Sequence, residues 1–273
     1  MDSNQFSASL PCNLQGVSRT LLIPLWARAQ ETLRPDSIIR DPWAVRILQN
    51  MDVDLSSFSN GWKSQIGIAI RTWLLDQEIA HWQARNPEGN IVLLGGGLDA
   101  RCWRLDNGMT RWTVIDLPEV IELRTALFPD SGFRFVQIAC SVLEADWEKM
   151  VPANSPVLFI AEGLFMYLPQ PQLKAWLCGL AQRYPCAELL FESVSPALVK
   201  YPKSHDLLRQ FDTEFVWGIS SGKELEAWSE RLQFVQQWSY ISLFPHRWRW
   251  IRYLRWLPAL KATTQLHKFT FSD

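Results

Sequence analysis

Three glycines and an acid, Gly95-Gly96-Gly97-Leu98-Asp99-Ala100, directly follow the apolar run Ile91-Val92-Leu93-Leu94. A second acid, Asp116, stands 21 residues beyond Gly95 and closes the next apolar run, Trp112-Thr113-Val114-Ile115. Glycines at the end of a buried strand let backbone approach a ligand closely and adopt positive φ. An acid one strand-helix-strand step later can accept hydrogen bonds from both hydroxyls of a ribose. The pair therefore describes a nucleotide-like ligand held at the carboxyl edge of a parallel sheet. Gly95-x-Gly97-x-x-Ala100 also satisfies the dinucleotide pattern, so a nicotinamide oxidoreductase stays open on these residues, as does a plain tight turn with a solvated acid. Two features weigh against a dinucleotide. Its fingerprint usually opens a domain, whereas this turn follows a long helical stretch. Asp99 and Arg101 also put charge where a pyrophosphate needs bare amides, while a carboxylate suits a cationic sulfonium ligand with a free amino group.

The elements that must position this turn are readable from periodicity. Leu21 to Leu33 carries helical spacing, with Ser18 or Thr20 as candidate caps and Arg34-Pro35-Asp36 as its end. Asp41-Pro42 starts a second helix, and a third runs from about Ser64 to Arg85, so the first third is expected to be helical with no strand. After Asn86-Pro87-Glu88-Gly89 the pattern changes to short apolar runs. These are 91–94, 112–115, 133–138, 157–160 and 189–191, alternating with helical stretches at 118–127 and 171–183. Two late extended segments, 234–241 and 265–271, add edge strands. The expected fold is α/β: a doubly wound, mostly parallel, Rossmann-like sheet of seven strands. Residues 1–88 form an N-terminal helical annex or lid, and residues 89–273 form the ligand-binding domain.

Bulk properties narrow the class. The chain has 273 residues, 48% hydrophobic, and a net charge of -1, which argues against a polyanion binder working by bulk electrostatics. Cys12, Cys102, Cys140, Cys178 and Cys186 form no C-x-x-C pair, so neither a metal site nor a disulfide framework is expected. With no signal-peptide pattern at Met1 to Gln5 and no membrane-span run, a cytoplasmic protein is expected. Oligomeric state is not legible.

At the residues already quoted, the chain resembles the leucine carboxyl methyltransferase family, in particular its bacterial polyketide-type O-methyltransferase branch. The resembling segments run in order: Ser18-Arg19-Thr20, Arg34-Pro35-Asp36, Arg40-Asp41-Pro42 and Arg71-Thr72, then Leu94 to Arg101. Asp116-Leu117-Pro118-Glu119-Val120-Ile121 and Ala161-Glu162-Gly163-Leu164-Phe165-Met166-Tyr167-Leu168 complete the series. The resemblance implies a class I fold and an S-adenosyl-L-methionine cofactor. It implies that Arg71 grips the methionine carboxylate, that Gly95 and Gly97 line the methionine and ribose, and that Asp116 holds the ribose hydroxyls. Ser141 and Val142 would lie beside the adenine, and Glu162 would face the amino group or the reacting centre. Two positions depart from the pattern: Ala100 stands where Thr is common, and Ser141 where an acid is common.

The residues leave bland alternatives beside these roles. Arg71 can be a surface helix charge, Glu162 a cap for the next helix, and Tyr167 a packed aromatic. Methyl transfer from a sulfonium is an in-line displacement, so alignment and water exclusion dominate. Tyr167 and Glu162 are the candidates near the methyl group. His81, His205, His246 and His267 lie in no motif, and the lack of an evident base favours a carboxylate or a substrate-tuned phenol as acceptor. The expected function is methyl transfer to an oxygen of a small-molecule acceptor. The alternatives are the nicotinamide enzyme and a cofactor-binding interaction protein without turnover. The Arg- and Trp-rich stretch from Pro245 to Trp256 reads as a helix packing its aromatics on the sheet, with RNA or an anionic membrane as the other possible partners. No nucleic acid partner is expected.

Overall fold

The computed structural model describes residues 10–11, 16–129, 132–201, 206–207, 211 and 213–272. Met1 to Gln5, Cys12 and His205, all singled out in the sequence, lie outside them. Seven strands form the sheet: β1 Asn90–Leu94, β2 Arg111–Asp116, β3 Phe135–Ala139, β4 Val157–Ala161, β5 Glu188–Val194, β6 Leu232–Ser239 and β7 Thr264–Phe271. Their order is β3-β2-β1-β4-β5-β7-β6. The first five pair in parallel, and β7 runs antiparallel between β5 and β6. Strand order reverses between β1 and β4, and the crevice outside the carboxyl ends at that point is where such sheets bind ligands.

The continuous apolar runs are strands because both faces of the sheet are covered. Val92, Leu94, Phe159 and Phe191 point to one side, where Leu173, Leu177 and Leu180 of helix α6 (Gln170–Arg183; helices are numbered in chain order) pack on them. Ile91, Leu93, Val114 and Ile160 point to the other, against Ile66, Ile70, Leu74 and Ile79 of α3 (Trp62–Arg85). Period-two side chains on the strands thus meet period-3.6 faces on two helices. α3 accordingly shares its core with the sheet. A separate apolar cluster joins α1 (Leu22–Thr32) and α2 (Pro42–Gln49) to Leu98 and Ala100 of the glycine turn.

Three local expectations are corrected. The first third does contain strand: Leu10–Pro11 pairs in parallel with Met51–Asp52, a two-residue bridge too short to leave a periodic signal. Neither Ser18 nor Thr20 caps α1. A 3₁₀ turn over Gly16–Leu21 feeds the helix, whose N-cap Leu21 makes no side-chain hydrogen bond. Thr20 Oγ1 instead donates to the Val17 carbonyl at 2.7 Å, and Ser18 Oγ reaches Glu119 at 2.9 Å. By contrast, Asp41 caps α2 as expected, accepting from the Ala44 amide, with Pro42 in the first turn. The third correction concerns Pro245–Leu254. It is a 3₁₀ segment broken at Trp248 and Arg249, the latter at φ 48° and ψ -131°. The break sends Arg247 and Trp248 inward and Trp250 and Tyr253 outward, so one straight packed helix is not what forms.

One buried group gives the fold a pH signature. His267 on β7 is fully buried, 2.7 Å from Ser193 Oγ on β5, and stacks on Phe191. Burial pulls its pKa from 6.5 to about 3, so it stays neutral in the fold. An unfolded chain protonates it below 6.5. Its contribution is therefore fully present above 6.5 and is lost as pH falls toward 3, at up to about 1.4 kcal/mol per pH unit. His267→Gln should make the fall in melting temperature between pH 6.5 and 4.5 shallower than in the parent. Parallel slopes would show that this imidazole is not what titrates.

Candidate active site

The glycine turn is built by backbone bonds on one side and an arginine on the other. The Gly95 and Gly96 amides both donate to the Ile115 carbonyl, continuing the β1-β2 ladder past the strand end. Gly95 and Gly97 take φ of +63° and +50°, and a Cβ on Gly95 would lie 3.0 Å from Leu164. Arg124 of α5 (Pro118–Leu127) is wholly buried and donates to the Gly97 and Asp99 carbonyls at 2.6 and 2.8 Å. The turn's carbonyls are thereby fastened away from the crevice. Asp116 Oδ2 accepts the Gly97 amide at 2.7 Å and Oδ1 the Leu117 amide at 2.8 Å. Burial pushes this carboxyl above its ordinary pKa, and the two amides oppose the shift. Each carboxylate oxygen has further acceptor capacity for a ligand hydroxyl.

Charged side chains form a buried network beneath the turn. Arg71 bridges Glu162 at 2.6 Å and Glu192 at 2.5 Å, while Arg101 bridges Asp99 at 2.8 Å and Glu162 at 2.5 Å. Asp76 extends it to Arg104, and Asp41 joins Arg104 to Arg28. Burial raises the pKa of the Glu162 carboxyl, but Arg71 and Arg101 overcome it and hold the group well below the usual carboxylate range. At Glu192 burial wins, with Glu162 adding to it, and the pKa is raised despite Arg71. The network counts four arginines and five carboxylates, one carboxyl group more than its cations. Arg71 is not a surface charge, and Glu162 is engaged by arginines rather than capping the short turn that follows it. Both terminal nitrogens of Arg71 are taken by carboxylates. Its buried Nε has no partner.

One cavity of about 1000 Å³ gathers the eight candidate site residues: Arg71, Gly95, Gly97, Asp116, Ser141, Val142, Glu162 and Tyr167. Beyond the charged floor its wall is apolar, supplied by Ile23, Ile68, Leu164, Met166, Val194 and Phe215, among others. Among the described residues, no histidine lines it. Tyr167 packs on Phe215, ring centroids 5.4 Å apart, and burial pushes its phenol up to about 12, so at neutral pH it keeps its proton and can donate. Ser141 Oγ is half-buried and accepts the Leu143 amide at 3.3 Å. Among the described residues, no group of three or more His, Cys, Asp or Glu is disposed to hold a metal, and no helix is long and apolar enough to cross a membrane.

Three residues that build the site are not among the sequence candidates. Glu192 carries a signal, an acid directly after the apolar run Leu189-Leu190-Phe191 of a buried strand, where a charge is tolerated when paired. Arg124 and Asp76 carried none, since each looks like an ordinary helix charge until the fold buries it.

Comparison with known proteins identifies the family. The profile of the leucine carboxyl methyltransferase family matches residues 22–181. The chain is 33% identical to the tetracenomycin polyketide synthesis O-methyltransferase TcmP of Streptomyces glaucescens, over 94% of this chain and 98% of that protein. The chain belongs to the leucine carboxyl methyltransferase family. As a leucine carboxyl methyltransferase family member it is an S-adenosylmethionine-dependent enzyme, which removes the nicotinamide reading of the glycine turn. A methyltransferase of Gibberella zeae, dpfgK, is 27% identical over 82% of each chain. Solved structures share the fold at low identity. A DUF574 family protein from Streptomyces avermitilis superposes with a TM-score of 0.58 at 11% identity, over 91% of this chain and 97% of that one. Magnesium protoporphyrin IX methyltransferase from Synechocystis gives 0.50 at 8%, over 85% and 94%.

The leucine carboxyl methyltransferase family site fits its cofactor on three structural grounds. The Gly95 cradle would be filled by a Cβ, Arg71 Nε is a buried donor without a partner, and the network's excess carboxylate complements a ligand of net positive charge. Glu192 and the 245–261 segment lie beyond the family profile.

Proposed function

We propose that the enzyme methylates an oxygen, by preference a carboxylate, of an apolar, polyketide-like small molecule. The observation that carries this reading is the two-part cavity: a charged floor at the glycine turn continuous with an apolar wall in which none of the described residues is a histidine. The likeness to TcmP over nearly the whole chain supports an oxygen acceptor. Bound S-adenosylmethionine supplies an electrophilic methyl on a sulfonium. In this reading Asp116 holds the ribose hydroxyls, Gly95 and Gly97 admit the ribose and methionine, and Ser141 and Val142 flank the adenine. Glu162 and the Nε edge of Arg71 orient the amino-acid end. Tyr167, protonated, donates to the acceptor oxygen and fixes its line of approach. A carboxylate needs no deprotonation, so the residues have only to align it and exclude water. Residues up to 88 act as the cover, supplying Ser18, Thr20, Arg28 and Arg71 to the cavity, and the remainder holds the donor.

The test is chemical. With aromatic carboxylic acids and matched phenols as acceptors, S-adenosylhomocysteine should form together with a methyl product cleaved by mild base, as esters are and aryl ethers are not. Turnover confined to amine acceptors, or none with any oxygen acceptor, would refute the reading.

A further inference from the structure

The segment 245–261 serves two surfaces at once. Trp248, Ile251 and Leu260 line the cavity from within, and the exposed Ala259 carries that lining to the rim. Its outer side shows Trp250 at 60%, Tyr253 at 66%, Leu254 at 38% and Trp256 at 68% exposure. Single exposed apolar residues are ordinary, but four within seven positions form a patch. Arg249, Arg252, Arg255 and Lys261 are exposed among them, and no acid occurs from residue 231 to 272. The buried members of the same segment are already accounted for: Arg247 is locked to Glu31 at 2.8 Å, and Trp248 Nε1 donates to the Leu243 carbonyl. The positive φ at Arg249 separates the two sets.

Amphipathic rings interleaved with guanidinium groups match the headgroup layer of a bilayer. There the rings enter the acyl boundary and the cations meet phosphate. Trp256 fits this role, since its indole N–H is satisfied by the Tyr253 carbonyl at 3.1 Å while its ring stays exposed. We propose that residues 249–261 dock the enzyme peripherally on an anionic lipid surface, with the cavity rim facing it. A lipid-dissolved acceptor would then reach the apolar wall without crossing water. That consequence rests on the proposed function, whereas docking does not.

Flotation of the 273-residue protein with equimolar phosphatidylglycerol and phosphatidylcholine vesicles tests it, with pure phosphatidylcholine vesicles as control. The protein should float with the anionic vesicles, stay behind with the neutral ones, and be released by about 0.5 M salt. Trp250→Ser/Tyr253→Ser/Trp256→Ser should cut partitioning at least roughly tenfold, and Arg252→Gln/Arg255→Gln/Lys261→Gln by roughly fivefold for each charge removed. Both variants should keep the parent's affinity for S-adenosylhomocysteine, which certifies their fold independently of any acceptor. If the aromatic triple variant fails that check, Trp250→Ser and Trp256→Ser singly carry the comparison. No flotation on anionic vesicles, parent-like flotation by the variants, or tighter capture by a single-stranded RNA than by the vesicles would each overturn the proposal.

Discussion

Arg71→Met should lower the melting temperature at neutral pH by on the order of 10 °C. It removes the cation between two buried carboxylates, and breaking a buried pair from one side costs about 3–5 kcal/mol. Glu162 keeps Arg101, but Glu192 is left without a cation in the network. The sign of the pH dependence follows. Burial already raises the Glu192 pKa, and losing Arg71 raises it further, so the variant's penalty appears as pH rises through that value and shrinks in acid. The deficit against the parent should therefore be smaller at pH 4.5 than at pH 7.5. Adding Glu192→Gln should return most of the lost stability at neutral pH, because it removes the orphaned charge. A double variant no more stable than the single one would show that Arg71 stabilises by packing rather than by pairing.

The second large effect concerns ligand affinity rather than stability. Asp116→Ala should weaken S-adenosylhomocysteine binding by roughly a hundredfold in calorimetry. That is the loss of two hydrogen bonds to a charged acceptor at about 1.5 kcal/mol each. The melting temperature of the ligand-free protein should move far less, because the Gly97 and Leu117 amides that lose their acceptor lie at a crevice that is not fully buried. Unchanged affinity would mean that the ribose does not sit on this carboxylate.

Much of this architecture was legible beforehand because the signals are local. The run Ile91 to Leu94 ends in glycines because the ladder continues to Ile115 and the chain must then turn at positive φ. Asp41-Pro42 fixed the start of α2, and Pro118 to Leu127 is helix α5 to the residue. Arg71 and Glu162 were each identified, but not their pairing, since the partners lie 91 positions apart and no periodicity links them. The same holds for Arg124, whose role depends on carbonyls of a turn formed by a different stretch of chain. The tail departs from the expected helix because helical spacing does not encode a positive-φ residue at a non-glycine position. Arg249 broke the face on which the packing expectation rested.

The Glu31–Arg247 pair has a bearing on how the chain is divided. Glu31 is wholly buried and meets both guanidinium nitrogens across 216 positions. A fragment trimmed to the family-matched stretch would strand that carboxylate with only the Ile38 amide and Gln65 beside it. The two ends of the described chain therefore work as a clasp. The clasp holds the wall segment that carries Trp248 and Ile251 on the first helix, whatever side chains that segment presents to the cavity.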